Sequence, residues 1–471
     1  MKSSKNFAHQ CSRLKSGVCI TLILAMFTVY VQPGMAITAP VPKANAQLLT
    51  GLVSGLLSPT RFIVRDSGGL LGINLTCLLL GCTVVGGLGD PQGQLFLVTT
   101  SGLLSPVVFL TALLSGGGVV DAEQDQAVQT QSATAGSVPS YLTDEKPVSY
   151  YGATVWEGYV QQTPNQIVRT LTTQSTYGVA GSGVTVAVID TGVDPNNTIL
   201  KNLLVYGYDF TRNKSGGSEL ADVSLSISNT SSSAQPAEIN QSTVGVLDQS
   251  TVGVLDGSSY SAFGHGTMTA GIVHLVAPKA KIMPLKAFNA QGLAYASDIL
   301  RAIYYAVNHG AKVISMSFDF TQSSTELANA INYATSKGVI CVASAGNDGQ
   351  MKTVYPGGLS NVIDVASTSN NDNPSAFSNY GAPPVWLSAP GEGVVTTYPY
   401  NTYAAGWGTS FSAPFVSGTV ALMAGVNPTL NHASAASALS HAQPIPYSQY
   451  GYGVLDAYQS VQAWRHALGL N

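Results

Sequence analysis

The apolar positions of this chain change period several times, and each change marks a segment. Lys2, Lys5, Arg13 and Lys15 precede a 15-residue apolar run from Gly17 to Val31. A membrane-spanning helix needs about 20 apolar residues, so the run is short for a span and has the layout of a secretory signal. Ala44-Asn45-Ala46 offers a small-residue cleavage site before Gln47, with Gly34-Met35-Ala36 as an earlier alternative. Residues 1–46 are therefore expected to be a signal peptide. Beyond them, Arg61 to Arg65 alternates as a strand does, Gly69 to Leu80 is helix-like though broken by glycine, and Gly93 to Thr100 is a second strand. Pro106 to Leu114 reads as a helix opened by proline, and Gly118 to Glu123 as a last strand. This β-α-β-α-β order predicts a small α+β domain within 47–123. Residues 124–148, rich in Gln, Ser, Thr and Ala, predict an exposed linker where proteolysis concentrates.

From 149 to 471 strand and helix patterns alternate. This predicts an α/β domain with a mainly parallel sheet and helices on both faces. Val184 to Ile189 is a near-continuous apolar strand, and Asp298 to Asn308 has helical spacing before the Val313 strand. A helix is expected from about Ser412 to Met423, with Ser410 at its start and Pro414 in its first turn. Residues 211–260 interrupt the alternation with Ser, Asn and Gly, and Gln241–Asp248 recurs unchanged as Gln249–Asp256. Two copies are too few for a repeat architecture. They read as a duplication within a surface insertion, with a substrate-binding flap as the functional alternative.

Composition narrows the class. Charged residues are only 9% of the chain, the net charge is −4, and glycines number 49. The chain is too apolar for disorder, and no basic patch suggests nucleic acid. Of five cysteines, Cys11 and Cys19 would leave with the signal. Cys77 and Cys82, five apart, are able to pair in an oxidising compartment, and Cys341 sits in an apolar strand as a buried small hydrophobe. No Cys/His cluster has zinc spacing.

Three segments carry chemistry: Val188-Ile189-Asp190-Thr191-Gly192, Gly264-His265-Gly266-Thr267, and Gly408-Thr409-Ser410-Phe411-Ser412-Ala413-Pro414. Together they supply a nucleophile, a base and an orienting carboxylate, each beside glycine or small hydroxyl residues that let a substrate approach. A serine hydroxyl becomes a useful nucleophile when an imidazole takes its proton, and the imidazole needs a carboxylate to fix its tautomer. In these segments, in the order Asp, His, Ser, the chain resembles the subtilisin-like serine peptidases. The resemblance implies a subtilisin-like three-layer α/β/α fold over 149–471, preceded by an α+β propeptide that covers the active site and assists folding. It implies that Asp190, His265 and Ser410 are catalytic.

Further segments extend the resemblance. Val339 to Gly349 reads as a buried strand ending in a loop that presents Asn347, and by resemblance the Asn347 amide and the Ser410 N–H form the oxyanion hole. Substrate backbone is expected along Ser315, Ser317, Phe318 and Asp319, with Leu293, Ala294 and Tyr295 as a second edge and Ala343, Ser344, Ala345 and Gly346 close by. Tyr355-Pro356 stands where the family carries a cis-proline. Three positions depart from the family pattern. Phe411 replaces a methionine, Met268 follows where a second histidine is usual, and Asp319 replaces a glycine at the edge of the specificity pocket. Asp319 leaves two readings open: it favours a basic P1 side chain, or it only narrows the entrance. The related sedolisins use Glu as base and Asp at the oxyanion position; His265 and Asn347 favour the subtilisin type and an optimum nearer neutral pH.

The expected protein is thus a secreted serine endopeptidase, extracellular or periplasmic, monomeric, and matured by cleavage in 124–148. Its partners are protein or peptide substrates and its own propeptide, with no nucleic acid and no membrane after signal removal. It needs no catalytic cofactor. Many relatives bind structural calcium, for which Asp194 and Asp209 are available, but the sequence assigns no metal site. The alternatives are a silent binding protein of the same fold and a narrow processing protease.

Overall fold

The N-terminal alternation becomes a four-stranded antiparallel sheet in a computed structural model that describes residues 60–100, 104–129, 137–223, 244–246, 260–381 and 385–470. The expected signal peptide and the second repeat copy, 249–256, lie outside the described residues. The strands β1 (Thr60–Asp66), β2 (Cys82–Gly87), β3 (Leu95–Thr100) and β4 (Val119–Gln124) run in the order β2-β3-β1-β4. Helices α1 (Gly69–Leu80) and α2 (Pro106–Leu114) cover one face, where Phe62, Val64, Phe96 and Val98 meet Ile73, Cys77, Phe109 and Leu113. Strand β2 adds to the expected order, making it β-α-β-β-α-β. Its two closing glycines disfavour a strand locally, and pairing with β3 overrides that preference. A disulfide joins Cys77 to Cys82 across the turn between α1 and β2.

Within the expected linker, 124–148, most described residues are exposed or half-buried, but single positions on either side of 130–136, which lies outside the described residues, are anchored. Asp125 is buried because its Oδ1 accepts the Ser297 N–H (2.9 Å) at the start of a helix, while its Oδ2 takes Arg61 Nε (2.7 Å). Strand β5 (Ala127–Gln129) pairs antiparallel with Leu293–Tyr295. Leu142 and Tyr150 enter the main core, and β6 (Pro147–Tyr150) forms a hairpin with β7 (Ala153–Trp156).

The remaining strands are β8 (Thr185–Asp190), β9 (Tyr208–Asp209), β10 (Lys214–Ser215), β11 (Val244–Val246), β12 (Lys281–Lys286), β13 (Leu293–Tyr295), β14 (Val313–Met316), β15 (Ile340–Ser344), β16 (Val362–Thr368), β17 (Val385–Pro390), β18 (Val394–Tyr398) and β19 (Thr402–Gly406). Eight of them form one sheet, ordered β10-β9-β12-β8-β14-β15-β16-β17 and parallel except for β10. Val186, Val188, Val342 and Ile363 pack with helices α3 (His265–Val276) and α6 (Thr409–Val426). Their neighbours Ala187, Ile189, Ile314 and Cys341 pack in a second cluster with α4 (Ala296–Asn308) and α5 (Thr325–Ser336). A sheet buried on both faces needs apolar residues at successive positions, which is why β8 reads as an unbroken apolar run. The result is the expected three-layer α/β/α architecture.

In the surface insertion expected at 211–260, residues 211–216 are exposed, while the segment that follows is partly buried. Residues 214–223 fold against the sheet, with Val193 N–H donating to Gly217 O (2.8 Å) and Glu219 buried. Its polar composition suggested exposure, but polar groups with a full set of partners are buried readily. Strand β11, in the first repeat copy, pairs antiparallel with β19.

Phe415 of α6 is fully buried in the larger cluster. Phe415→Ala, placed in a Ser410→Ala background to prevent autolysis, is expected to lower unfolding free energy by about 3–5 kcal/mol in guanidinium titration.

Candidate active site

Asp190 ends β8, His265 opens α3, and Ser410 is the second residue of α6. All three therefore gather beyond the carboxyl ends of parallel strands, where open α/β sheets place their sites. His265 Nδ1 lies 2.7 Å from Asp190 Oδ1 and 2.9 Å from Oδ2. The carboxylate also accepts Thr191 N–H (2.7 Å) and the Thr269 hydroxyl (3.2 Å). The approach of α3 depends on Gly266, because a Cβ there would sit 1.9 Å from Gly192 O. Burial works against a proton on His265, but the charge and hydrogen bond of Asp190 outweigh it and hold the imidazole above its usual 6.5.

Helix α6 begins at Thr409, earlier than expected, so Pro414 falls in its second turn. Proline has no N–H to offer the carbonyl four residues back, which belongs to Ser410. The Ser317 hydroxyl takes that place and donates to Ser410 O (2.9 Å), while Ser410 Oγ donates to Ser317 O (3.3 Å). This reciprocal pair seats the serine at the positive end of α6. The Phe411 ring, next in the chain, lies 5.7 Å from the His265 ring between centroids. Asn347 Oδ1 accepts the N–H and the hydroxyl of Thr409, both at 2.9 Å, so its amide nitrogen faces away from Thr409.

A hydroxyl, a carboxylate-held imidazole and an amide at a helix start can perform acyl transfer. Residues 181–453, more than half the chain and including Asp190, His265, Asn347 and Ser410, match the sequence model of the Subtilase family. The chain belongs to the subtilase family. It is accordingly a serine-type endopeptidase acting on protein substrates. It is 36% identical over 254 residues to thermitase of Thermoactinomyces vulgaris, covering 52% of this chain and 76% of thermitase. It is 34% identical over 255 residues to the thermophilic serine proteinase of Bacillus sp. strain AK1, covering 52% of each chain. Subtilisin BL of Lederbergia lenta is 35% identical over 205 residues, which cover 41% of this chain and 76% of the relative.

The residues expected to bind substrate separate into two groups. Ser317, Phe318 and Asp319 leave the sheet beside Ser410, and Gly346 adjoins them. Leu293, Ala294 and Tyr295 form an edge that β5 occupies. Ser315 and Ala343 are buried within β14 and β15 with a partner on each side, so their backbones offer no free edge, whereas Ser344, also buried, pairs only with Val365 of β16. Ala345 N–H is bound to Val365 O (3.0 Å). The Tyr355–Pro356 bond is cis. Asp194 and Asp209 are engaged elsewhere: Asp194 accepts Asn196 and Tyr400 N–H groups, and Asp209 pairs with Arg212. Among the described residues no group of three His, Cys, Asp or Glu side chains is arranged to hold a metal. Cys341 is buried, and burial pushes its thiol up to about 12, which makes it inert.

Sequence reasoning missed Glu219. Its carboxyl accepts Gly264 N–H (2.8 Å), the Thr191 hydroxyl (3.2 Å) and the Thr267 hydroxyl, bracketing both Asp190 and His265. A lone Glu in a Ser/Gly-rich stretch carries no signal of this role. Burial raises its pKa to about 8, helped by the Asp190 charge and opposed by the Thr267 and Gly264 bonds and by Lys286. Glu219→Ala orphans those three donors and is expected to cost about 2 kcal/mol or more by denaturant unfolding. The folded pKa lies above the ordinary 4.5, so the stability this group contributes is present below 4.5 and lost as pH rises through about 8. Wild type should therefore lose stability relative to Glu219→Gln across that window.

Proposed function

We propose that Ser410 attacks the scissile carbonyl while His265 accepts its proton and Asp190 holds the imidazole in the required tautomer. The Asn347 amide and the Ser410 N–H stabilise the tetrahedral oxyanion. His265 then protonates the leaving amine, and water releases the acyl-enzyme. No metal or organic cofactor takes part. The observation that carries this reading is the pairing of His265 Nδ1 with both oxygens of Asp190, beside the helix that begins Thr409-Ser410.

The substrate lies extended against β13 and the Ser317–Phe318 segment, adding a strand through main-chain bonds. The antiparallel pairing of β5 with β13 supports this, because part of the chain already occupies that edge. We infer further that residues 1–46 direct export, that 47–123 is an inhibitory propeptide, and that the mature monomeric enzyme begins after cleavage within 124–148. The Cys77–Cys82 disulfide suits an exported protein. Docking of the N-terminal domain through Arg65, whose guanidinium meets both oxygens of Glu326 (2.8 and 2.5 Å), suits an intramolecular inhibitor.

Intact mass and N-terminal sequencing of the secreted protein test this reading. Wild type should begin between residues 124 and 150, and Ser410→Ala should retain the segment from Gln47; retention in both, without peptide hydrolysis, would point to a silent binding protein. In processed enzyme kcat/KM should rise with pH as His265 loses its proton, with a midpoint above 6.5. Asp190→Asn should lower kcat by about 10,000-fold.

A further inference from the structure

Helices α1 and α2 leave an apolar surface uncovered. Leu71, Leu75, Leu78 and Leu79 on α1 and Val107 and Leu114 on α2 are each more than half exposed. Both helices lie on one side of the sheet and touch, so these side chains share one face. The inner sides of the helices fill the small core with Phe62, Val64, Phe96 and Val98. The alternate residues of β1 and β3, Ile63, Leu95 and Leu97, enter a core shared with α4 of the peptidase. The apolar face therefore looks away from the peptidase. A contiguous patch of this size on an exported protein marks a contact site.

The chemistry of the face indicates what covers it. From Ser67 to Val120 the one charged residue is Asp90, which is buried and accepts the Leu95 N–H (2.9 Å). Neither helix carries Trp, Tyr or Arg, the side chains that anchor most protein interfaces. The one fully exposed polar side chain on α1 is that of Asn74. Hydroxyls along α2 are closed off within the helix: Thr111 Oγ1 donates to Val107 O and Ser115 Oγ to Thr111 O, both at 2.8 Å. Such back-bonding spares a hydroxyl the cost of losing water when it meets hydrocarbon. Leu78 and Leu79, the most exposed of the six, lie inside the loop that Cys77 and Cys82 close. The bridge thus holds an apolar turn out from the domain rather than adding to its core. A face of aliphatic side chains without charge or anchor residues cannot fix the register of a protein partner, and it matches the acyl region of a bilayer surface. The chain ahead of β1 agrees with this: it carries the apolar run Gly17–Val31, and no charged residue lies between Ala44 and Thr60.

We propose that the outer face of α1 and α2 binds a lipid bilayer surface. The leucines and valines enter the acyl boundary, and the peptidase hangs on the opposite side of the β1–β4 sheet, facing water. No basic residue takes part, so binding needs no anionic lipid. Cleavage within 124–148 then separates a membrane-held domain from a soluble enzyme. The sequence expectation of no membrane contact after signal removal holds, on this proposal, for the processed peptidase alone. The release step rests on the propeptide reading above; the lipid contact does not.

The test is flotation of the secreted Ser410→Ala precursor with phosphatidylcholine vesicles, which carry no net charge. The precursor should float with the vesicles at low and at high salt alike, and processed wild-type peptidase should stay behind. The triple variant Leu71→Ser, Leu78→Ser, Leu79→Ser in the precursor should lower the ratio of bound to free protein by about 100-fold or more. Val107→Ser with Leu114→Ser, on the other helix, should lower it in the same direction, and carries the test if the triple variant does not fold. A precursor that stays behind overturns the proposal, and its sedimentation as a dimer would assign the face to a second copy of this chain. Flotation that survives both sets of replacements also overturns it and moves lipid binding to the chain ahead of β1. If secreted wild type keeps its N-terminal domain, the propeptide reading fails while flotation of the precursor still decides the lipid contact.

Discussion

Asp190 is a carboxylate buried at the end of a parallel strand, and such a group persists only with a complete set of partners. Much of the surrounding architecture supplies them. The Thr191 N–H and the Thr269 hydroxyl satisfy its oxygens, and His265 takes the remaining direction. Those partners need positions of their own. The Thr191 hydroxyl accepts Gly266 N–H (2.9 Å) and donates to Glu219, tying the strand end to the start of α3. Lys286, fully buried, donates to Thr191 O (2.7 Å), Phe288 O (2.7 Å) and Asp222 Oδ2 (2.6 Å). The 219–222 turn is therefore part of the scaffold that holds Asp190 and His265 in one geometry.

Ser410 is positioned by a different device. A serine in the first turn of a long buried helix would ordinarily have its carbonyl bonded within that helix. Pro414 withholds the donor, and Ser317 supplies one from the segment where substrate is proposed to lie. Helix α6 and that segment are thereby locked together at the reacting residue. A shift of either would move both, so alignment of substrate and nucleophile is built into the same pair of bonds.

The parts legible in sequence were those whose signal is local. The β8 run, α4 and the three glycine-flanked motifs announce themselves because a doubly buried strand, an amphipathic helix and a close backbone approach each demand particular neighbours in the chain. The parts that were not legible depend on distant partners. Strand β2 exists because β3 pairs with it, against its own glycines. Glu219 looked like part of a loop because its three partners lie 28, 45 and 48 residues away. Asp364 sits in an apolar strand pattern where a single acid has no local meaning, and only the sheet register places it next to Ala343. Conversely, Ser315 and Ala343 look available in sequence but are consumed by ladders on both sides.

The N-terminal domain has too little interior to stand easily by itself. Its cluster contains eight fully buried side chains, while Leu71, Leu78, Leu79 and Val107 on its helices are 72, 80, 84 and 73% exposed. Small domains of this kind are marginal without additional constraints. The Cys77–Cys82 bridge closes only a short loop, so its entropic contribution is small. The larger constraint comes from outside the domain. Arg61 and Asp125 engage Ser297, Arg65 engages Glu326, and β5 extends along β13. Each of these contacts lies on β1 or just after β4, so the sheet's docked side and the start of the 124–148 segment are fixed by the same surface. Cleavage within that segment would cut the covalent tether while leaving these contacts in place. Departure of the domain would then be limited by breaking a bidentate Arg65–Glu326 pair and the buried Asp125 contacts, rather than by the cleavage itself.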